Sequence, residues 1–86
     1  MEDAAAAAED AAVDRADHYL DVARAYTQIG EPYTAAQLLL AADRTAAPEV
    51  RNRPAGHEVL TEVLRHTRTN PPTQIRSLAE QLQIAV

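Results

Sequence analysis

The sequence predicts an all-α fold of about four helices. Apolar residues recur at helical spacing in four stretches, and no stretch alternates with a period of two for long enough to indicate a strand. Nineteen of the 86 residues are alanine, which favours helix strongly but buries little area. The chain has three tyrosines and no Phe or Trp, so its core must come from these tyrosines and from Leu, Ile and Val. A monomer with so little apolar bulk should be only marginally stable.

The first helix is predicted over residues 13–29. Its apolar stripe, which recurs at the helical period, consists of Tyr19, Val22, Ala23, Tyr26 and Ile29. Gly30 stands where a helix commonly ends, and Pro32 suits the start of the next one. Residues 1–12 are acidic and rich in alanine, and they offer little bulk to a core. We interpret them as a helical extension of a domain that spans residues 13–86.

The second helix is predicted to run from Pro32 to Ala46. Its apolar stripe consists of Ala35, Leu38, Leu39 and Ala42. Leu40 leaves this stripe and is expected to face a further helix. Residues 47–56 contain two prolines and a glycine, and this composition indicates a connector.

The third and fourth helices are predicted over residues 55–67 and 73–83. Their inward positions are Val59, Leu60, Val63 and Leu64 in the third helix, and Ile75, Leu78, Ala79 and Leu82 in the fourth. The two helices are separated by the break around Pro71 and Pro72.

The chemistry that the chain lacks argues against an enzyme. It has no cysteine, which removes disulfides, thiolate metal sites and cysteine nucleophiles and fits a reducing cytoplasm. His57 and Glu58 begin like a zinc-protease motif, but Thr61 stands where the second histidine is required. Ser77 has no histidine on its helix and no glycine-rich turn around it. We therefore expect a cytoplasmic protein with no enzymatic activity, no metal and no cofactor.

The charge is divided unevenly along the chain. Residues 1–47 carry nine acids and three arginines, a net −6, whereas residues 48–86 carry four acids and five arginines, a net +1. An acidic first half should repel DNA and anionic lipid. The arginines of the second half are either a clamp for the carboxylates of a partner or solvated charges beside nearby acids. These arginines are Arg51, Arg53, Arg65, Arg68 and Arg76.

The first two predicted helices resemble a tetratricopeptide repeat, whose pattern is W-x2-L-G-x2-Y, then A-x3-F, then P. The residues at these positions are Tyr19, Val22, Ala23, Tyr26, Ala35, Leu39 and Pro48. A weaker copy begins at His57 and continues through Leu60 to Leu64. Stacked repeats usually need three or more units, so one and a half repeats imply either a dimer or the end of a longer solenoid. An amphipathic hairpin unrelated to any repeat is the alternative.

Three runs carry a more particular resemblance. They are ADHYLDVARAYTQIGEPYTAAQLLLAADRTAAPEVRNRP, HEVLTEVLRHTR and SLAEQL. Over about residues 13–86 the chain is similar to the C-terminal region of actinobacterial helix-turn-helix transcriptional regulators. The resemblance implies a regulatory module that senses a ligand or protein and oligomerises. The DNA-binding domain found at the N-terminus of such regulators is missing from this chain, so we expect no direct binding to nucleic acid.

The sequence thus favours a non-enzymatic module for protein–protein interaction, dimerisation or sensing. We expect a protein or peptide partner, a homodimer and no association with membranes. The residues expected to contact the partner are Tyr33, Leu40, Arg51, Arg53 and Arg65. Two alternatives remain: a docking or accessory domain of a biosynthetic enzyme system, and a purely structural helical unit that homodimerises.

Overall fold

The computed structural model describes residues 2–84, with side chains from Ala4 onward. These residues form five helices and no strand. The helices are α1 (Glu2–Gln28), α2 (Pro32–Thr45), α3 (Ala47–Arg51), α4 (Pro54–His66) and α5 (Thr73–Gln81). The prediction of an all-α chain is confirmed. Met1 of the predicted extension and residues 85 and 86 of the predicted domain lie outside the described residues.

The helix α1 joins the predicted extension and the predicted first helix into one element. Its 27 residues correspond to about 40 Å of helix, and the longest dimension of the molecule is 48 Å. The alanines that precede Val13 are mostly exposed, and the buried positions begin at Ala16. The first half of α1 therefore has little of the chain packed against it.

The buried face of α1 differs from the predicted stripe. Its buried positions are Ala16, Leu20, Ala23 and Thr27. Tyr19, Val22 and Tyr26 lie half-buried at the edges of this face, whereas Ile29 is 70% exposed, contrary to the prediction. The reason is that Ile29 comes after the last helical residue, so the helical period no longer sets the direction of its side chain.

The turn between α1 and α2 is closed by backbone hydrogen bonds. Gly30 has a φ of 83°, in the left-handed region that favours glycine. The Glu31 amide donates to the Tyr26 carbonyl at 2.8 Å, and the Gly30 amide donates to the Thr27 carbonyl at 3.3 Å. These two bonds form the Schellman motif, which ends α1. The chain then reverses, and α2 packs on α1 as the most extensive helix pair.

The segment predicted as a connector contains the short helix α3. Pro48 and Pro54 stand in the first turns of α3 and α4. A backbone amide at these positions would have no hydrogen-bond acceptor within the helix, so proline costs nothing there. The two prolines therefore mark helix starts. Val50 of α3 is fully buried, so this segment belongs to the core.

A glycine allows α3 and α4 to touch through their backbones. A Cβ atom built on Gly56 would lie 2.6 Å from the Cα of Val50 and would overlap its carbonyl oxygen. Such distances do not occur between real atoms without movement. Gly56 thus permits the close approach of α3 and α4.

The rest of the core follows the predicted positions closely. In α4 and α5 the buried side chains are Val59, Leu60, Val63, Leu64, Ile75, Leu78 and Ala79. Leu82 is half-buried against them. In α2 the buried residues include Ala36 in place of the predicted Leu38, which is half-buried. Leu40, expected to face a further helix, is half-buried against the core and lines a groove together with Leu78 of α5.

Candidate interaction surfaces

A groove with a volume of about 670 Å³ lies between α1 and α4. Its lining consists of Arg24, Thr27, Gln28, His57, Glu58, Val59, Thr61, Glu62 and His66. Arg24 Nη2 is 3.1 Å from Glu58 Oε2, near the start of α4, whereas Gln28 lines the groove together with His66 at the end of α4.

Most of the residues that line this groove have polar side chains, and several of their charges are already paired. The ion pair of Arg24 with Glu58 bridges the two helices, but these side chains are 46% and 67% exposed, so the pair contributes little stability. Glu62 lies 2.9 Å from Arg65 Nη1 and 3.6 Å from His66 Nε2. The groove thus offers hydrogen-bonding groups and mixed charge.

Two exposed apolar side chains flank the turn between α1 and α2. Ile29 and Tyr33 are 70% and 49% exposed, and we call this pair the turn patch. The Tyr33 hydroxyl donates to the Asn70 carbonyl at 3.2 Å, which links α2 to the loop between α4 and α5. Because Ile29 follows Gln28 directly, the turn patch adjoins one end of the α1–α4 groove.

The structure does not bring the five predicted contact residues together. Leu40 and Arg51 line a smaller groove of about 250 Å³ between α2 and α5, and Arg51 and Arg53 line a third depression before α4. Tyr33 belongs to the turn patch, and Arg65 lies on α4 outside the linings of these three depressions.

The three predicted contact arginines each hold an acid of the same chain. Arg51 binds Asp43 through two hydrogen bonds, which raise the pKa of its guanidinium. Arg53 Nε lies 3.0 Å from Glu49 Oε2, and Arg65 is paired with Glu62, as described above. A clamp for external carboxylates would first have to break these pairs.

The sequence pattern does not predict that a carboxyl on α3 is buried. Glu49 is only 6% exposed, and burial together with a hydrogen bond to the Asp17 carboxyl raises its pKa, against the opposing charge of Arg53. Its Oε2 has no hydrogen-bond partner among the described residues, because the nearby Arg53 N–H does not point at it. The pair of Glu49 with Asp17 forms only because α3 packs on α1, and no spacing in the sequence predicts it.

Among residues 2–84 no group of three or more histidine, aspartate or glutamate side chains is arranged to hold a metal ion. The same residues contain no helix with the length and apolar character needed to cross a bilayer. No family model, no curated protein and no solved structure matches this chain.

Proposed function

We propose that this chain is a non-enzymatic module for protein–protein interaction with a regulatory role. In this proposal α1 and α2 are a tetratricopeptide-like helix pair, and α4 and α5 are a degenerate second pair. The module would sense or dimerise, as the resemblance to the C-terminal region of helix-turn-helix regulators implies. Burial of Ala23 and Ala35, which lets α1 and α2 approach closely, supports the assignment of the first pair.

The observation that carries the proposal is the α1–α4 groove with the turn patch at its Gln28 end. Its volume of about 670 Å³ lies in the range of pockets that accept ligands or short segments of a partner. Tyrosine is enriched among the residues that dominate binding energy at interfaces, and such residues are commonly surrounded by polar contacts. Ile29 and Tyr33 are exposed, and Ile29 directly follows Gln28, which lines the groove together with several polar side chains.

The first test is sedimentation equilibrium over a concentration series, with the helical circular dichroism signal followed in parallel. We expect a concentration-dependent dimer that loses helical signal as it dissociates, because the core of the monomer is small. The double variant Ile29→Ser/Tyr33→Ser should shift the equilibrium toward monomer. The matched control is Gln37→Ser, at an exposed position on α2 outside the groove.

A second test addresses a heterologous partner. A photo-crosslinking residue is placed at Gln28, in the groove, and separately at Gln37. We expect the crosslinking residue at position 28 to give a discrete crosslinked product. The same product should be weak or absent when the crosslinking residue is at position 37. A stable monomer at every concentration, combined with equal crosslinking from both positions, would refute the proposed function.

A further inference from the structure

The last helix, α5, is held on the rest of the molecule by apolar contacts. We call α1–α4 the body, and α5 packs on its helices α2 and α4. The buried side chains of α5 are Ile75, Leu78 and Ala79. Within the part of the chain that the structure describes, no side-chain hydrogen bond or ion pair joins residues 73–81 to the body. Apolar attraction is not directional, so these contacts do not depend on a fixed set of polar partners.

The contact between α5 and the body is also small. The pairs that α5 forms with α2 and with α4 are the least extensive helix pairs of the fold. The groove of about 250 Å³ between α2 and α5 separates them further, and its lining includes Arg44 of α2 and Ser77 of α5. Among the five helices, α5 is therefore the one whose release from the fold costs the least packing.

Residues 67–72, which connect α4 to α5, have the character of a hinge. The connection bends at a turn in which the Asn70 amide donates to the Thr67 carbonyl at 3.0 Å. Pro71 and Pro72 follow, and they keep the backbone extended between the two helices. The exposed hydrogen bond from the Tyr33 hydroxyl to the Asn70 carbonyl ties the hinge to α2. Opening of this turn and loss of this one bond would release α5 from the body.

We propose that two copies of this chain exchange α5, so that α5 of each copy packs on the body of the other. Ile75, Leu78 and Ala79 keep in such a dimer the same buried surroundings that they have in one chain. The exchange therefore costs little beyond the opening of the hinge and the association of two chains. This inference rests on the proposed function, because it gives the way in which the module dimerises.

A second copy is the occupant that the structure favours for the surface under α5. This surface is complementary to α5, and every copy of the chain carries both. An isolated helix of nine residues is not stable in water, so a released α5 must pack again on a surface of this kind. The hydrogen bond to Asn70 places Tyr33 at the hinge. In the exchanged dimer the two hinges cross from one body to the other, and the turn patches adjoin this crossing.

The test uses cysteines introduced on either side of the α2–α5 groove, since the native sequence contains no cysteine. The double variant Arg44→Cys/Ser77→Cys changes two exposed positions that line this groove. It is treated with a short bis-maleimide reagent at a concentration where the chain sediments as a dimer, and the products are separated on a denaturing gel. We expect covalent dimers, because in the exchanged dimer the two cysteines that meet across the groove belong to different chains.

A mixing experiment identifies the linked positions. The single variants Arg44→Cys and Ser77→Cys are unfolded together in urea, refolded as a mixture and crosslinked. We expect a covalent dimer whose peptide map joins positions 44 and 77. The matched control combines Ser77→Cys with Gln37→Cys, at an exposed position of α2 outside the groove, and should give a lower yield. Circular dichroism verifies that each variant remains helical.

A longer hinge tests the same inference without cysteines. Insertion of Gly-Ser-Gly-Ser between Asn70 and Pro71 gives α5 a flexible connection through which it can return to its own body. Short hinges favour exchange between copies, and longer ones favour the closed chain. We therefore expect the insertion to shift the sedimentation equilibrium from dimer toward monomer with the helical signal retained.

Three results would overturn the inference. The first is a chain that sediments as a dimer while the double variant is linked only within single chains. The second is a dimer that the insertion in the hinge does not weaken. In both cases the copies associate without exchange, so the proposed function stands and only the exchange of α5 is rejected. The third is a monomer at every concentration, after which the crosslink from position 28 decides whether the proposed function also fails.

Discussion

Asp43 and Arg51 hold α2 and α3 together through two parallel hydrogen bonds. Arg51 Nε donates to Asp43 Oδ1 at 2.9 Å, and Arg51 Nη2 donates to Asp43 Oδ2 at 3.1 Å. The carbonyl of the same arginine lies 2.7 Å from His57 Nε2, which must therefore be the donor. Arg51 thus joins three helices at the point where α3 meets α4.

We predict that Arg51→Lys destabilises the fold by about 1–2 kcal/mol. An ammonium group cannot make the paired contact of a guanidinium with a carboxylate, and the partial exposure of this pair keeps the loss modest. Urea denaturation followed by circular dichroism measures the change. Arg44→Lys, at an exposed position on α2, should leave stability within about 0.5 kcal/mol of the native value. Equal effects of the two substitutions would contradict the structural role of the Asp43–Arg51 pair.

We predict that Gly56→Ala destabilises the protein by about 1–3 kcal/mol, although alanine is the better helix former. The added methyl group overlaps the backbone of Val50, and α3 must move to admit it. Because the overlap is with backbone, truncation of the neighbouring side chain in Gly56→Ala/Val50→Ala should not restore stability. Thermal unfolding of the single and double variants tests both statements. A neutral Gly56→Ala would mean that α3 and α4 do not touch as described.

We predict that Gln83→Gly stabilises the protein by about 0.5–1 kcal/mol. Gln83 has a φ of 58°, and the Ile84 amide donates to the Ala79 carbonyl at 2.9 Å, so α5 ends in the same way as α1 but without a glycine. The matched control is Gln81→Gly, in the last turn of α5, which should lower stability by about the same amount. Denaturant midpoints of the two variants should therefore move in opposite directions.

We predict that the protein loses the stabilisation associated with Glu49 as the pH rises. The ordinary pKa of this carboxyl is 4.5, and burial raises it in the folded state. Above pH 4.5 the folded chain therefore keeps a proton that the unfolded chain releases, and stability falls until the pH has passed the raised pKa. Glu49→Gln mimics the protonated form and should raise the unfolding temperature at pH 7 more than at pH 5.

Other carboxyls contribute to the same pH range, so the informative quantity is the difference between Glu49→Gln and the native chain at each pH. Glu80→Gln, at an exposed position on α5, serves as the reference for the loss of one carboxyl. If the difference for Glu49→Gln does not change with pH, the Glu49 carboxyl is not buried in solution as described.

Local sequence patterns predict the helical class, the end of α1, the boundaries of α2, α4 and α5 to within a few residues, and most of the core of α4 and α5. These properties follow from local periodicity and from turn residues such as Gly30 and Pro32, which act on the chain around them. The same local reasoning placed Ile29 in the core, because the pattern of apolar residues continues past the point where the backbone leaves the helix.

The packing of the helices against one another determines which residues meet across them. Val50 is buried and Gly56 is required because α3 crosses α4, and neither fact is visible in the periodicity of a ten-residue connector. The contact of Glu49 with Asp17 joins positions 32 residues apart, and it depends on how α3 lies on α1. Helical period governs one element at a time, whereas burial, charge pairing and an unmatched acceptor arise only when elements pack against one another.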